Sequence, residues 1–284
     1  MVNFGYHFAR LEGEIGRKLY RASLPMIVRR PLQPPRELPL DVFSYSGEQS
    51  LPEQVASIRS FLQHAGRPQR FTVISDKTHS SRSIELLKRV HPVVEVRDSL
   101  PSSQSEFPDK IRSYLTSHAT GKQLALIMSL PADGPALYTD SDVLFFPGAD
   151  DLFSFLIEAR SAPALYLADS QFSGDERLIR DPAEKNDPVN TGFLLFFQKL
   201  DWSLGLERLL ALNGAPNFFT NQTIAHLCMH ANGALPFDPK KYVLRLDDQF
   251  VYRDRYANRS LAMRHYVNPV RHKFWMNFVR TIQP

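Results

Sequence analysis

Short apolar segments alternate with segments of helical periodicity along most of the chain, and this alternation most strongly limits the folds open to it. Strands are predicted at 41–45, 71–75, 93–97 and in the stretch 136–144, and helices at 52–64, 81–90 and 124–130. Strands joined by helices favour a largely parallel sheet in one layered domain. The sequence therefore predicts an α/β fold.

The composition is that of an ordinary globular protein and excludes several classes. Cys228 is the only cysteine, so no internal disulfide can form and a disulfide-built secreted scaffold is excluded. No apolar run approaches the roughly 18 residues of a membrane span, and no signal-peptide core is visible. The formal net charge of +4 looks spread along the chain, which favours anionic ligands without singling out nucleic acid. We expect a cytoplasmic enzyme with no nucleic-acid partner.

Residues 1–40 are predicted to form an amphipathic helix followed by a proline-rich linker at 31–39. The apolar residues at helical spacing are Phe4, Phe8, Leu11, Ile15 and Leu19. Basic residues lie largely on other faces, so a peripheral contact with an anionic membrane is one possibility. Packing against the rest of the protein is favoured, because Glu12 and Glu14 dilute the positive charge and three glycines weaken an isolated helix.

The apolar run that begins at residue 136 ends on two carboxylates. Residues i and i+2 of a strand project from the same face, so Asp140 and Asp142 should emerge together at its carboxyl end, where open α/β sheets bind ligands. Mg²⁺ and Mn²⁺ prefer oxygen ligands and commonly combine one or two carboxylates with substrate phosphates. The pair predicts a divalent metal and a phosphate-bearing substrate. The alternative is two acids that simply face water.

Three later segments carry polar side chains suited to such a substrate. A glycine-containing turn at 190–192 opens into an apolar strand and allows close approach of a ligand to the backbone. The side-chain amides of Asn221 and Gln222 can bind hydroxyl groups. A short C-terminal segment combines an imidazole, which can complete the shell of a metal, with cations that suit phosphate oxygens. Its residues are His265, Asn268, Arg271, His272, Lys273 and Trp275.

These segments resemble the nucleotide-diphospho-sugar glycosyltransferases of the GT-A fold, among them the glycogenin-like and bacterial lipopolysaccharide-type enzymes. Residues 138–144 resemble their Asp-x-Asp metal motif, and residues 190–193 resemble the Asn-[Ser/Thr]-Gly segment that lines the donor-sugar pocket. Residues 265–271 are similar to their His-x-x-Gly-x-x-Lys element, with Asn268 at the glycine position and Arg271 at the lysine position.

The resemblance implies one GT-A domain at 41–284, with a central, mostly parallel mixed sheet flanked by helices. It implies transfer of a sugar from a nucleotide-diphosphate sugar, with UDP as the expected nucleotide, to a hydroxyl of an unknown acceptor. That acceptor could be a glycan, a lipid-linked molecule or a protein. The expected cofactor is Mn²⁺ or Mg²⁺, held by Asp140, Asp142 and His265.

The other site residues are assigned partly by the resemblance and partly by position in the sheet. The candidate catalytic residues, expected to face the donor sugar, are Asp187, Gln222 and Asn190. The expected substrate-binding residues are Ser44, Tyr45, Asp76, Lys122, Ser141, Thr191, Gly192, Arg271 and Lys273. The first three of these stand at the ends of the first two predicted strands and are assigned to base and ribose. Asp187 could be the general base of an inverting enzyme or bind a sugar hydroxyl, and the glycogenin resemblance favours retention.

Two other functions fit part of the pattern. Residues 140–143 also fit a haloacid-dehalogenase-type phosphohydrolase with Asp140 as nucleophile, although that site normally opens its domain. Its downstream acids could only be Asp247 and Asp248. Alternatively, the sheet could bind a nucleotide sugar without turnover or serve as an interaction module. Divalent-dependent hydrolysis of a nucleotide sugar without acceptor separates the transferase from both.

Overall fold

The computed structural model describes residues 3–99, 106–131, 133–158 and 162–276 and has the predicted α/β fold. The helices are α1 (Phe4–Ile27), α2 (Leu51–His64), α3 (Ser81–Lys88), α4 (Asp109–Ser117), α5 (Ala119–Met128), α6 (Leu152–Ile157), α7 (Ser203–Ala211), α8 (Thr220–Ala231) and α9 (His272–Met276). The strands are β1 (Glu37–Ser46), β2 (Arg67–Ser75), β3 (Val94–Arg97), β4 (Ala136–Thr139), β5 (Val143–Phe145), β6 (Ala164–Ala168), β7 (Val189–Phe196), β8 (Leu235–Pro236), β9 (Tyr242–Val243) and β10 (Met263–His265).

Seven strands form the main sheet in the order β3-β2-β1-β4-β7-β6-β8. The pairs β2–β3, β1–β2 and β1–β4 are parallel, whereas β7 is antiparallel to both β4 and β6. The sheet is therefore mostly parallel and mixed, as expected. Because Thr139 pairs with Phe193, the residues that begin β7 lie beyond the carboxyl end of β4. The polar start of β7 and the acids that follow β4 thus meet at one edge.

The main sheet is buried on both faces. Val42 of β1 packs in an apolar cluster with Phe61 of α2, whereas its neighbour Phe43 packs in a second cluster with Leu124 of α5 and Ile224 of α8. Successive strand residues project to opposite faces, so the two clusters lie on opposite sides of the sheet. This double burial explains why the strands read as nearly continuous apolar runs.

A second sheet of three short strands, in the order β5-β10-β9, brings the C-terminal part of the chain to the edge of the main sheet. β10 is antiparallel to β5, and His265 pairs with Val143. Since β5 begins directly after the turn that carries the two acids, this register places the imidazole beside them.

A buried cluster of charges holds β10 against α9. The guanidinium of Arg264 donates to Asp248 at 2.8 and 3.1 Å and also contacts Asp254, while the ammonium of Lys273 lies 3.2 Å from Asp248. The side chains of Arg264, Asp248 and Lys273 are fully buried. Because Lys273 belongs to α9, this charge cluster joins the strand that carries His265 to the last helix.

The N-terminal helix α1 packs against the rest of the protein, but not through its predicted apolar stripe. The buried residues of α1 are Ala9, Gly13, Tyr20, Leu24 and Ile27. The stripe lies on the other side and is exposed, with relative exposures of 69% for Phe4, 60% for Phe8, 53% for Leu11, 48% for Ile15 and 63% for Leu19. The proposed boundary at residue 40 falls inside β1, so the end of the proline-rich segment belongs to the sheet. Among the described residues, no helix combines the length and apolarity needed to cross a membrane.

A methyl group at Gly13 should destabilise the protein although alanine favours helices. A Cβ there would overlap the carbonyl oxygen of His272 and lie 3.0 Å from its carbonyl carbon, and this backbone of α9 cannot move aside without unpacking. At Gly5 the nearest atom would be 3.5 Å away. We expect Gly13→Ala to lower the melting temperature and Gly5→Ala to leave it equal or raise it. Equal melting temperatures for the two variants would contradict the close contact of α1 and α9.

Candidate active site and metal centre

The two acids of the Asp-x-Asp motif lie at the carboxyl end of β4, as predicted. β4 ends at Thr139, so Asp140, Ser141 and Asp142 form a turn between β4 and β5 and not the end of one continuous strand. The backbone N–H of Asp140 donates to the carbonyl oxygen of Gly192 at 2.8 Å, which ties the turn to the start of β7. The two carboxylates therefore converge because of the turn, and strand alternation is not the cause.

The imidazole of His265 completes a cluster with both acids. Its Nε2 lies 3.0 Å from Asp142 Oδ1 and 3.6 Å from Asp140 Oδ2. Each of the three side chains offers one ligand atom, and these atoms lie within 4.8 Å of one another. The described part of the chain contains no other cluster of three His, Cys, Asp or Glu residues with this geometry. Two carboxylate oxygens and one imidazole nitrogen form a donor set suited to Mn²⁺ or Mg²⁺.

The carboxylate of Asp140 is oriented by neighbouring polar groups. Its Oδ1 accepts hydrogen bonds from the Tyr138 hydroxyl at 2.7 Å and from the Gln123 amide at 3.0 Å. The side-chain amide of Asn221 on α8 donates in turn to the side-chain oxygen Oε1 of Gln123 at 2.8 Å. Such partners fix the direction of a metal-binding carboxylate. Sequence reasoning missed Gln123, and Tyr138 could have been found because it stands only two residues before Asp140.

Asn190 sets the orientation of the imidazole. Its Oδ1 accepts from the backbone N–H of Gly192 at 2.9 Å and lies 3.0 Å from His265 Nδ1. An oxygen acceptor at that position makes Nδ1 the donor, which leaves Nε2 to face the acids. The Asn190 amide nitrogen lies 3.3 Å from Asp169 Oδ2. Asp169 directly follows β6 and was missed, although an acid after an apolar run is the signal that identified Asp140.

Gly192 is required by the close approach of the imidazole. A Cβ at this position would lie 2.5 Å from His265 Nδ1 and 2.9 Å from Asn190 Oδ1, closer than real Cβ atoms approach any group. We expect Gly192→Ala to displace His265 and to weaken Mn²⁺ binding by tenfold or more, since loss of a supporting contact costs about 10–100-fold in metal affinity. Calorimetric titration with Mn²⁺ checks this expectation. Wild-type affinity in a folded Gly192→Ala variant would contradict it.

The charges in the cluster are strongly coupled. Burial raises the pKa of Asp140, and Asp142 adds to the rise while His265 opposes it. Burial also acts to raise the pKa of Asp142, but His265 and Arg271 hold that pKa below its ordinary value overall. For His265, burial would lower the pKa, yet Asp142 and Asp140 raise it. A divalent cation would relieve the repulsion between the two acids, so the cluster fits such an ion in charge as well as in ligand type.

Arg271, the residue predicted to bind phosphate, lies beside the cluster. Its guanidinium donates to Asp142 Oδ2, while about half of its side chain (51%) is exposed. It lines a cavity of about 410 Å³ together with Asn268 and with Arg10 and Arg17 of α1. The positive charge of Arg271 therefore stands between the acids and open space.

Two further predicted residues belong to the same edge, and a third lies on α5. Ser141 is buried in the turn between Asp140 and Asp142, and Thr191 is buried between Asn190 and Gly192. Lys122 is half-buried on α5 and immediately precedes Gln123, whose amide contacts Asp140.

The residues assigned to base and ribose lie where β1 and β2 end. Tyr45 is half-buried, and burial, with a smaller contribution from Asp76, raises the pKa of its hydroxyl to about 12. Asp76 Oδ1 accepts from the backbone N–H and the hydroxyl of Thr78 at 2.8 and 2.6 Å. Ser44 is fully buried and its hydroxyl donates to the side-chain oxygen Oε1 of Gln54 at 2.8 Å, so the hydroxyl is directed into the core and away from a ligand.

Three predicted residues have contacts elsewhere. The Gln222 amide donates to the carbonyl oxygen of Ser173 at 2.8 Å. Asp187 is exposed in the loop before β7, has a φ of 49°, and accepts through its carbonyl oxygen from His230 at 3.0 Å. Lys273 lies in the buried charge cluster described above. None of these contacts brings Gln222, Asp187 or Lys273 to the cluster of two acids and one imidazole.

Comparison with known proteins identifies the fold. No family model matches the sequence, and no curated protein matches it. The galactosyltransferase LgtC, in a complex with donor and acceptor sugar analogues, matches with a TM-score of 0.56 and 16% identity over 85% of this chain and 94% of that chain. The bifunctional glycosyltransferase WbbM matches with a TM-score of 0.57 and 15% identity over 89% of this chain and 51% of its own.

A third match comes from mouse. Xyloside xylosyltransferase 1 gives a TM-score of 0.51 and 12% identity over 82% of this chain and 99% of that chain. The chain spans about half of WbbM, whereas it spans nearly all of the other two proteins. At these identities the likeness establishes the fold: the chain has the GT-A fold of glycosyltransferases, as its motifs predicted.

Proposed function

We propose that the protein is a metal-dependent glycosyltransferase that moves a sugar from a nucleotide-diphosphate sugar to an acceptor hydroxyl. The observation that carries this proposal is the convergence of Asp140, Asp142 and His265 at the carboxyl edge of a GT-A sheet. The same fold in LgtC was solved with donor and acceptor sugar analogues, which supports a nucleotide-sugar donor and a glycan acceptor. UDP as the nucleotide, Mn²⁺ or Mg²⁺ as the ion, a lipid-linked or protein acceptor, and a cytoplasmic location stay predictions.

The chemistry requires positive charge at the leaving group. When the bond from the anomeric carbon to the diphosphate breaks, negative charge grows on the departing phosphate oxygens. A bound divalent cation supplies electrostatic stabilisation of that charge. Arg271 would add the chain's own positive charge, because its half-exposed guanidinium is already within contact of Asp142 and can exchange that contact for a phosphate.

The donor would lie along the edge of the sheet formed by β1, β2 and β4. Tyr45 and Asp76 are the groups we expect at the base and ribose, and Lys122 is a further candidate for the donor phosphates. Asp169 is a candidate for a sugar hydroxyl, because its carboxylate lies beside Asn190. Asp187 and Gln222 stay candidates for the sugar, and whether the enzyme inverts or retains is left open.

The phosphohydrolase alternative is not favoured. Asp140 is one of two acids that share the cluster with His265, as expected of a metal ligand. The downstream acids that a phosphohydrolase would need are placed elsewhere: Asp248 is buried against Arg264, and Asp247 is exposed and accepts from the Tyr256 hydroxyl at 2.6 Å.

A panel of nucleotide sugars tests the proposed function. Thermal unfolding is followed with each compound, with Mn²⁺ or with chelator, and donor hydrolysis is then measured without acceptor. We expect one nucleotide sugar to raise the melting temperature only with the metal and to be hydrolysed slowly. Metal-dependent binding without any turnover would favour the nonenzymatic alternative. An aspartyl adduct at Asp140 after treatment with beryllium fluoride would favour the phosphohydrolase.

A further inference from the structure

Helix α1 has two apolar faces on opposite sides. At 100° per residue, the buried residues Ala9, Gly13 and Tyr20 fall within about 40° of one another, and the exposed stripe is centred about 140° away. The exposed stripe consists of Phe4, Phe8, Leu11, Ile15, Leu19 and Met26, which is 66% exposed. The rest of the protein buries one apolar face of α1, whereas the apolar residues of the other face stay largely exposed among the described residues.

The exposed stripe is too long and continuous to be incidental. From Phe4 to Met26 it runs for about 33 Å at 1.5 Å per residue. Beside it lies a groove of about 720 Å³ that is lined by Phe8, Leu11 and Trp275 and extends to Tyr252. Scattered exposed apolar residues need no explanation, but a contiguous patch of this kind marks an interaction surface.

The net positive charge of the chain is concentrated at this helix. Residues 4–30 contain six Lys or Arg and two Glu, an excess of four that equals the formal net charge of +4 for all 284 residues. The impression of an evenly spread charge is therefore wrong, because acids and bases balance in the rest of the chain. Lys18 borders the stripe on one side and Glu12 borders it on the other, each about 60° from its centre. The exposed Arg10 and Arg21 lie roughly 120° or more from the centre of the stripe, and the exposed Arg29 and Arg30 follow the end of the helix.

We infer that the exposed stripe of α1 binds the surface of an anionic lipid bilayer. An amphipathic helix with an excess of basic residues lies in the interface with its apolar residues among the acyl chains and its cations near the headgroups. The charge disfavours a second copy of this chain, because two such helices would bring like charges together. It also gives no attraction to residues 277–284, which contain Arg280 and no acid.

Vesicle flotation with the full chain tests this inference. The probes are vesicles of phosphatidylcholine alone and vesicles that also contain phosphatidylglycerol, at low and at high salt. We expect binding to the anionic vesicles that weakens as salt rises, and little binding to the neutral ones. Nucleotide and metal are left out of the assay, so the result is independent of the proposed transferase activity.

Variants identify the surface that binds. Phe8→Ser should reduce the fraction bound to anionic vesicles by about tenfold or more, since it removes one large apolar side chain from the stripe. Phe218→Ser is the matched control, because Phe218 is 69% exposed and Phe8 is 60% exposed, and it should bind as the wild type does. Both side chains are exposed, so neither variant should lose its fold.

Three results would overturn the inference. The first is absence of binding to anionic vesicles by the wild-type chain at low salt. The second is equal loss of binding in Phe8→Ser and Phe218→Ser. The third is a dimer in light scattering that grows with protein concentration and disappears in Phe8→Ser, which would make a second copy the occupant of the stripe.

Discussion

Asp140→Asn and Asp142→Asn should each lower the rate of metal-dependent sugar transfer by about a thousandfold. Each change removes one of the three proposed metal ligands, and metal stabilisation of a leaving group is worth several kcal/mol, where about 1.4 kcal/mol is tenfold in rate. Mn²⁺-dependent binding of a nucleoside diphosphate should be lost in both variants. Calorimetry with and without Mn²⁺, and transfer assays with the donor found in the panel, measure these effects.

The same two variants should differ in stability. The pKa of Asp140 is raised in the folded protein, so its ionised carboxylate costs stability at neutral pH, and Asp140→Asn should unfold at an equal or higher temperature than the metal-free wild type. The pKa of Asp142 is lowered by His265 and Arg271, so its carboxylate stabilises the fold above its unfolded pKa. Asp142→Asn should therefore unfold at a lower temperature.

Asp109→Asn is the control for this pair, because the Asp109 side chain is 91% exposed on α4. It should keep wild-type transfer, metal binding and stability. Unchanged Mn²⁺-dependent nucleotide affinity in both Asp140→Asn and Asp142→Asn would remove the basis for the metal centre. Equal melting temperatures for the two variants would show that the acids do not differ in their coupling to His265.

Arg264→Met should lower the free energy of unfolding by about 3–5 kcal/mol, the cost of removing one partner from a buried ion pair. Without the guanidinium, the fully buried carboxylate of Asp248 keeps only Lys273 as a charged partner, and Asp254 loses its contact with Arg264. For a domain of this size the melting temperature should fall by roughly 10 °C. Because His265 follows Arg264 in β10, Mn²⁺ affinity should fall as well.

Arg255→Met provides the matched control for this buried arginine. Arg255 is 55% exposed and lies 4.0 Å from Asp247, so its removal should change stability by less than about 0.5 kcal/mol. Urea unfolding of both variants supplies the free energies. If Arg264→Met were as stable as Arg255→Met, the buried charge cluster could not be what holds β10 in place.

Local sequence patterns were sufficient for the order of most helices and strands up to β4, because burial of a strand or of one helix face leaves a periodic trace in the residues themselves. The helix α2 was predicted at 52–64 and is found at Leu51–His64, and α3 was predicted at 81–90 and is found at Ser81–Lys88. The Asp-x-Asp motif was also local, since both acids lie within three residues after β4. Helix α1 was predicted by its apolar period, but that period cannot reveal whether the apolar residues face inward.

Contacts between residues distant in sequence were beyond such patterns. Lys273 looked like a phosphate ligand because it stands near Arg271, yet it is buried against Asp248. Gln123 carried no signal, because its role depends on how α5 packs beside β4. Asn190 was assigned to the sugar, and the structure turns its oxygen towards His265.

The sequence by itself determined the α/β class, the residue types of the candidate metal site and the place of the acids in the sheet, because each depends on residues close together in the chain. Only the tertiary structure decided that His265 meets Asp142 across a separation of 123 residues, since this contact needs the antiparallel register of β10 with β5. It also decided which face of α1 is covered. The missing side chain at Gly13 allows α9 to approach the helix closely, so close packing selected that face over the more apolar one.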